Sequence, residues 1–182
     1  MTPAGELTPL DRDRLRADLL RLRSHGITSL AVALLHSWRH PEHEDAVADL
    51  AAELGFESVA VSHQVSGLMR LVPRADTTVV DAYLTPVLRR RVDAVRDALP
   101  RTRLLFMQSS GGLTDAAAFF GRDAILSGPA GGVIGAIQSS EASGFGRLIG
   151  FDMGGTSTDV CHYAGELERR LETTVAGVRL RA

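Results

Sequence analysis

A six-residue apolar run, Leu30-Ala-Val-Ala-Leu-Leu35, constrains the fold of this chain more than any other feature. It has no polar alternation, so a strand there is covered on both faces, as strands of parallel sheets are. Its flanks fit that reading. Before it, Leu15, Leu19 and Leu22 mark one face of a helix over Leu10–Arg23 that Gly26 ends. After it, Pro41 and Glu42 open a second helix whose inner face is Val47, Leu50, Ala51 and Leu54, closed by Gly55. Ser58–Ser62 reads as the next strand. Strand, helix and strand in that order predict a right-handed βαβ unit and an α/β fold class.

The middle of the chain continues in the same style. Val79, Val80, Tyr83, Leu84, Val87, Leu88, Val92, Val95 and Leu99 keep a helical period over Asp76–Leu99, and Pro86 is expected to bend or split that helix. Arg103–Met107 is a third predicted strand, Gly111-Gly112 a turn and Leu113–Phe120 a short helix. The last third changes character: ten of the 18 glycines fall between Gly128 and Gly165. Gly131–Glu141 is predicted helical and Leu148–Asp152 extended. Thr158–Tyr163 and Glu166–Arg170 are predicted to form a hairpin turned at Ala164-Gly165.

Charge and cysteine content narrow the function. With 20 basic and 22 acidic residues, nothing in the balance argues for nucleic acid or a membrane surface. The single cysteine, Cys161, cannot form an internal disulfide. The N-terminus carries no apolar signal region, and Leu30–Leu35 is too short to cross a bilayer. A cytoplasmic protein is expected.

Chemistry concentrates in Ile149-Gly-Phe-Asp-Met-Gly-Gly-Thr-Ser-Thr-Asp-Val160. Gly154 and Gly155 let backbone N–H groups approach phosphate oxygens with no Cβ in the way. Thr156, Ser157 and Thr158 can add hydroxyl donors. Asp152 and Asp159 repel phosphate, but can hold Mg²⁺ or its waters, and Mg²⁺ bridges to phosphate. No lysine follows the glycines, so this is not a Walker A loop. Taken alone, the stretch is also compatible with a glycine hairpin carrying an Asp or Thr turn. Ser127-Gly-Pro-Ala-Gly-Gly-Val133, with Gly131 and Gly132, fits a turn into a helix N-terminus that attracts anions, and equally a helix start packed on a sheet. In Gln108-Ser-Ser-Gly-Gly-Leu113 the serines read as turn residues. His36, His40 and His43 lie near Glu44, but Pro41 breaks the spacing of a single-helix metal site, so capping and surface contacts are expected. Trp38 is placed at the core edge, Cys161 as a small buried hydrophobe, and Arg89, Arg90 and Arg91 on a solvated helix face.

Taken together, Phe151–Val160, Ser127–Val133 and Met107–Leu113 resemble the hydantoinase A/5-oxoprolinase family, which includes acetone carboxylase subunits. Weaker matches are Ala31-Val-Ala-Leu-Leu-His-Ser37 with His43-Glu44, and Arg74-Ala-Asp-Thr-Thr-Val79. The motifs follow the family's order over nearly the whole chain. The resemblance implies a partial actin/hexokinase/Hsp70-like ATPase fold, with residues 1–146 the later part of the first lobe and 147–182 the opening β-hairpin of the second. It implies ATP and Mg²⁺ as cofactors, with Asp152 catalytic, Asp152 and Asp159 on the metal, and Gly154, Gly155, Thr156, Ser157, Thr158, Gly131 and Gly132 on the nucleotide. The substrate class would be cyclic amides such as hydantoins or 5-oxoproline, opened after ATP phosphorylates the amide oxygen.

Two departures qualify the match: Ser110 stands where the family commonly has Asp, and Leu71-Val-Pro73 where it usually has acidic and aromatic residues. No first phosphate loop precedes Leu10 and no adenosine segment follows. An incomplete piece is therefore expected, inactive alone and needing the remainder of the enzyme or a partner subunit. A non-catalytic interaction module and a sugar-kinase-like phosphotransferase are the alternative readings.

Overall fold

The computed structural model describes residues 6, 8–168, 172–175 and 177–180. Its elements are α1 (Arg12–Ser24), β1 (Ser29–Val32), α2 (Glu42–Glu53), β2 (Ser58–Val61), α3 (Ser62–Val65), α4 (Leu71–Ala98), β3 (Leu105–Met107), β4 (Leu113–Asp115), α5 (Gly121–Ala124), α6 (Ser127–Ala142), β5 (Leu148–Met153), β6 (Thr158–Tyr163), β7 (Thr173–Val175) and β8 (Val178–Leu180). Two compact units result. One comprises Met1–Asp93, Phe120–Arg122 and Glu172–Ala182, the other Ala94–Phe119 and Asp123–Leu171.

In the first unit the expected βαβ arrangement is present. Ser29–Val32 pairs in parallel with Ser58–Val61, Ser29 opposite Ser58 and Val32 opposite Val61. Asp11 caps α1 by accepting from the Arg14 N–H at 2.9 Å. Gly26 and Gly55 follow α1 and α2 with φ of +81°, the left-handed conformation that favours glycine at a helix end. The apolar faces close over the strands: Leu19, Leu50, Ala51 and Phe56 form one buried cluster, and Val32, Val47 and Val61 another.

Beyond the carboxyl ends of both parallel strands lies a buried polar network. Glu44, Ser62 and Arg74 are fully buried and Ser37 nearly so. One carboxylate oxygen of Glu44 accepts from the Leu34 N–H at 2.7 Å and the Ser62 hydroxyl at 2.6 Å. The other accepts from the His63 N–H at 3.0 Å and pairs with its Nδ1 at 2.8 Å. Arg74 donates from Nε to Ser62 Oγ at 2.7 Å, from Nη1 to the Leu68 carbonyl at 2.6 Å, and from Nη2 to Ser37 Oγ and the Leu34 carbonyl. Burial alone would raise the Glu44 pKa. The hydrogen bonds from Ser62, His63, Leu34 and Ser37 outweigh it and hold the carboxyl below its ordinary value. Burial pulls the Arg74 pKa down, and the Glu44 charge opposes that.

Pro86 neither splits nor ends α4, which runs unbroken from Leu71 to Ala98. Proline removes the N–H that would serve the carbonyl four residues back, that of Ala82. The Ser29 hydroxyl from β1 donates to that carbonyl instead, at 2.6 Å. The helix also begins earlier than its apolar period suggests, because Pro73 falls in the first turn, where its missing N–H has no intrahelical role. Gly121 lies so close to α4 that a Cβ would come within 2.8 Å of the Thr85 backbone nitrogen. Arg89, expected in solvent, instead lies over the Phe120 ring at 4.9 Å.

The second unit departs from expectation in three places. Leu113–Phe120 is not a helix. Leu113–Asp115 pairs antiparallel with Leu105–Met107, and only Ala116–Ala118 makes a 3₁₀ turn. Of the two readings of Ser127-Gly-Pro-Ala-Gly-Gly the structure takes the helix start, so that α6 begins at Ser127 and not at Gly131. Thr158–Tyr163 pairs with Leu148–Met153, not with the segment after Gly165. Residues 166–168 carry no strand, and 169–170 lie outside the described residues.

Candidate functional site

The hairpin of β5 and β6 presents the most chemically loaded surface of the second unit. Its register sets Gly150 opposite Cys161, Asp152 opposite Asp159 and Met153 opposite Thr158. Gly154–Ser157 connect the strands, with the Gly154 N–H donating to the Ser157 carbonyl at 2.9 Å. The alternation of a strand places Gly150 and Asp152 on one face, with Asp159 and Cys161 across from them.

Helix α6 packs on this hairpin. Pro129, Gly132, Val133 and Ala136 from the helix, with Gly150, Phe151, Asp152, Asp159, Val160 and Cys161 from the strands, line a cleft of about 370 Å³. Gly150 is required there: a Cβ at that position would meet Cys161 Sγ at 2.5 Å. The thiol packs against a bare backbone, and Cys161 is half-buried, short of the full burial expected of it.

The two carboxylates are the main electrostatic feature. Asp152 and Asp159 are cross-strand partners and both are exposed. Like charges directly opposite each other destabilise a strand pair. Among the described residues no hydrogen bond or ion pair engages either carboxylate, nor the hydroxyls of Thr156, Ser157 and Thr158. The fold leaves this acid pair and these donors uncommitted.

The glycines at the tip carry a similar message. Neither Gly154 nor Gly155 adopts a positive φ. A Cβ on Gly155 would meet nothing within 4 Å, and one on Gly154 only the Ser157 carbonyl oxygen at 3.6 Å. The chain's own packing and backbone conformation do not demand glycine at either place. Gly132 is alike, with nothing within 4 Å of its would-be Cβ.

Of the residues singled out from sequence, Asp152, Asp159 and Gly132 meet in the cleft, while Gly154, Gly155, Thr156, Ser157 and Thr158 form the adjoining tip and the start of β6. Gly131 is not brought to the cleft: its would-be Cβ points to Met107 Cγ at 3.5 Å, against β3. Sequence reasoning missed the apolar walls, Val133, Ala136 and Val160. Helical spacing from Gly132 and Pro129 was the signal that could have found the first two. Ser109 and Ser110 are turn residues: Ser109 Oγ donates to the Asp123 carbonyl at 2.7 Å and accepts from the Leu126 N–H at 3.1 Å. The histidine cluster disperses. His43 pairs with Glu6, His63 bridges Glu44 and Asp45, and the described residues hold no group of three potential metal ligands.

Comparison with known proteins adds a family. Residues 74–182 match the Hydantoinase/oxoprolinase family model and residues 2–55 the Hydantoinase/oxoprolinase N-terminal region. A 5-oxoprolinase of Saccharomyces cerevisiae is 46% identical over 92% of this chain and 14% of its own length. Caprolactamase subunit alpha of Pseudomonas jessenii is 34% identical over 88% of the chain and 24% of its own length. Among solved structures, nucleotide-free acetone carboxylase superposes with a TM-score of 0.84 at 27% identity, covering 96% of this chain and 26% of that one. ATP-dependent caprolactamase from Pseudomonas jessenii gives 0.81 at 27% identity, covering 100% and 27%. The chain thus spans about one-seventh of the length of the 5-oxoprolinase it matches.

Proposed function

Because this chain belongs to the hydantoinase/oxoprolinase family, we propose that it supplies a nucleotide-phosphate and Mg²⁺ site to an ATP-dependent hydrolase of cyclic amides of the hydantoin or 5-oxoproline class. The observation that carries this reading is the uncommitted hairpin end. It holds two facing carboxylates, three free hydroxyls and glycines that the fold itself does not require. That donor set fits the pair of groups it would hold. Hard carboxylate oxygens suit Mg²⁺, and open backbone with hydroxyl donors suits phosphate. ATP would supply the phosphoryl group that activates the amide oxygen.

In this proposal Asp152 and Asp159 hold the metal or its waters, and the cation relieves the repulsion between them. Gly154, Gly155 and Thr156 present donors to the phosphates, with Ser157 and Thr158 beside them. Gly132 keeps the cleft wall low. Residues 1–146 belong to a first lobe and 147–182 open a second. The 182-residue chain alone does not turn over, because catalysis by positioning fails when part of the positioning groups is elsewhere.

Asp152→Asn in a full-length enzyme containing this segment tests the reading, since it removes charge without changing size. Turnover should fall by roughly 100-fold or more, with a changed Mg²⁺ dependence. Wild-type turnover and wild-type Mg²⁺ dependence would end the assignment, as would ATP-dependent ring opening by the 182-residue chain alone.

A further inference from the structure

The exposed face of α4 carries a pattern that the proposed nucleotide site does not use. Val72, Val79, Tyr83 and Val87 are 64%, 57%, 76% and 47% exposed. With Asp76 and Arg90 they recur at intervals of three and four, which is one stripe along a helix. Large apolar side chains aligned in this way are unusual on a free surface.

The stripe is self-complementary about Tyr83. Asp76 stands seven residues before it and Arg90 seven after. Val79 stands four before and Val87 four after. In an antiparallel pairing of two such helices, with the two-fold axis at Tyr83, Asp76 faces Arg90 of a second copy at both ends. Val79 faces Val87 of the second copy, and the two tyrosines meet in the middle. A parallel pairing would instead set Asp76 against Asp76 and Arg90 against Arg90. Within the chain, no ion pair involves Asp76 or Arg90 among the described residues. We propose that this stripe of α4 is a homotypic interface on which a second copy of the chain docks antiparallel. Such an interface is isologous, so each contact occurs twice.

Sedimentation equilibrium of the purified chain over a range of concentrations tests this, with far-UV circular dichroism to verify that each variant is folded. The wild type should associate to a dimer. Asp76→Arg alone places like charges together at both ends, and so does Arg90→Asp alone. Each should weaken the dimer by roughly tenfold or more. The double variant Asp76→Arg/Arg90→Asp rebuilds both pairs with their signs exchanged and should recover near wild-type association. Non-specific apolar clustering would not recover in this way. The proposal is overturned by a chain that stays monomeric at every concentration, leaving the face for another segment or partner. A dimer indifferent to the single changes, or one that the double change fails to restore, overturns it equally.

Discussion

Two polar clusters built on carboxylates and hydroxyls, one with cations beside them and one without, behave in opposite ways. In the first unit Glu44, Arg74, Ser37 and Ser62 are buried with His63 half-buried beside them, and each oxygen of Glu44 has two partners. In the second unit Asp152, Asp159, Thr156, Ser157 and Thr158 are exposed, and none has a side-chain partner among the described residues. The state of satisfaction separates the two. A buried charge persists only when paired and hydrogen-bonded, so the first cluster is a device of the fold. Two carboxylates set face to face and left unpaired gain nothing for the fold, and it is to this second cluster that the proposed function assigns metal and phosphate.

Substitutions should break the symmetry of that comparison. The largest effect belongs to Arg74→Met, which removes the favourable charge near buried Glu44 and strips Ser62, Ser37 and the Leu34 and Leu68 carbonyls of a buried donor. Chemical denaturation should show a loss of about 3–5 kcal/mol. Acid should probe the same cluster from its other partner. The folded-state pKa of Glu44 lies below its ordinary value. Its contribution is therefore complete above the ordinary carboxylate range and drains away as pH falls through the depressed value. A pH series of denaturation midpoints should show this acid loss, and Glu44→Gln should flatten it. Ser29→Ala, which removes the donor to the Ala82 carbonyl, should cost about 1–3 kcal/mol. The smallest change has the opposite sign. Asp159→Asn relieves the repulsion across the hairpin and should raise thermal stability by a few tenths of a kcal/mol without Mg²⁺. A destabilised Asp159→Asn protein would show that the hairpin charges serve the fold after all, and the contrast would collapse.

The sequence disclosed what depends on near neighbours. The leucine spacing of α1, the apolar run of β1 and the flanking glycines are local signals, and the βαβ unit followed from them. The Glu44–Arg74 network was not legible in the same way, because 30 positions separate two residues that only the folded sheet brings together. Ala116–Ala118 illustrates another limit. Three alanines favour helix, yet pairing of Leu113–Asp115 with Leu105–Met107 takes the segment's start into a sheet. Glycine was an ambiguous guide. Gly128 and Pro129 suggested a turn as readily as a helix start, and a first helical turn tolerates both. Ala164-Gly165 suggested a hairpin, and Gly165 does adopt a positive φ of +104°, but no strand follows among residues 166–168. At the candidate site the motif named Asp152, Asp159 and the tip. The apolar walls from α6 required the packing of helix on hairpin, which no single stretch encodes.

The bond from Ser29 to the Ala82 carbonyl has a consequence for how this lineage can change. Pro86 and Ser29 are far apart in the chain, but they share one carbonyl. While proline occupies position 86, position 29 is committed to a small side chain that can donate. If position 86 reverts to an ordinary residue first, the helix supplies its own donor and the serine is released to drift. If the serine is lost first, an intermediate must survive with an orphaned carbonyl inside the fold. The two positions are thus coupled through one carbonyl, and the two orders of change carry different costs.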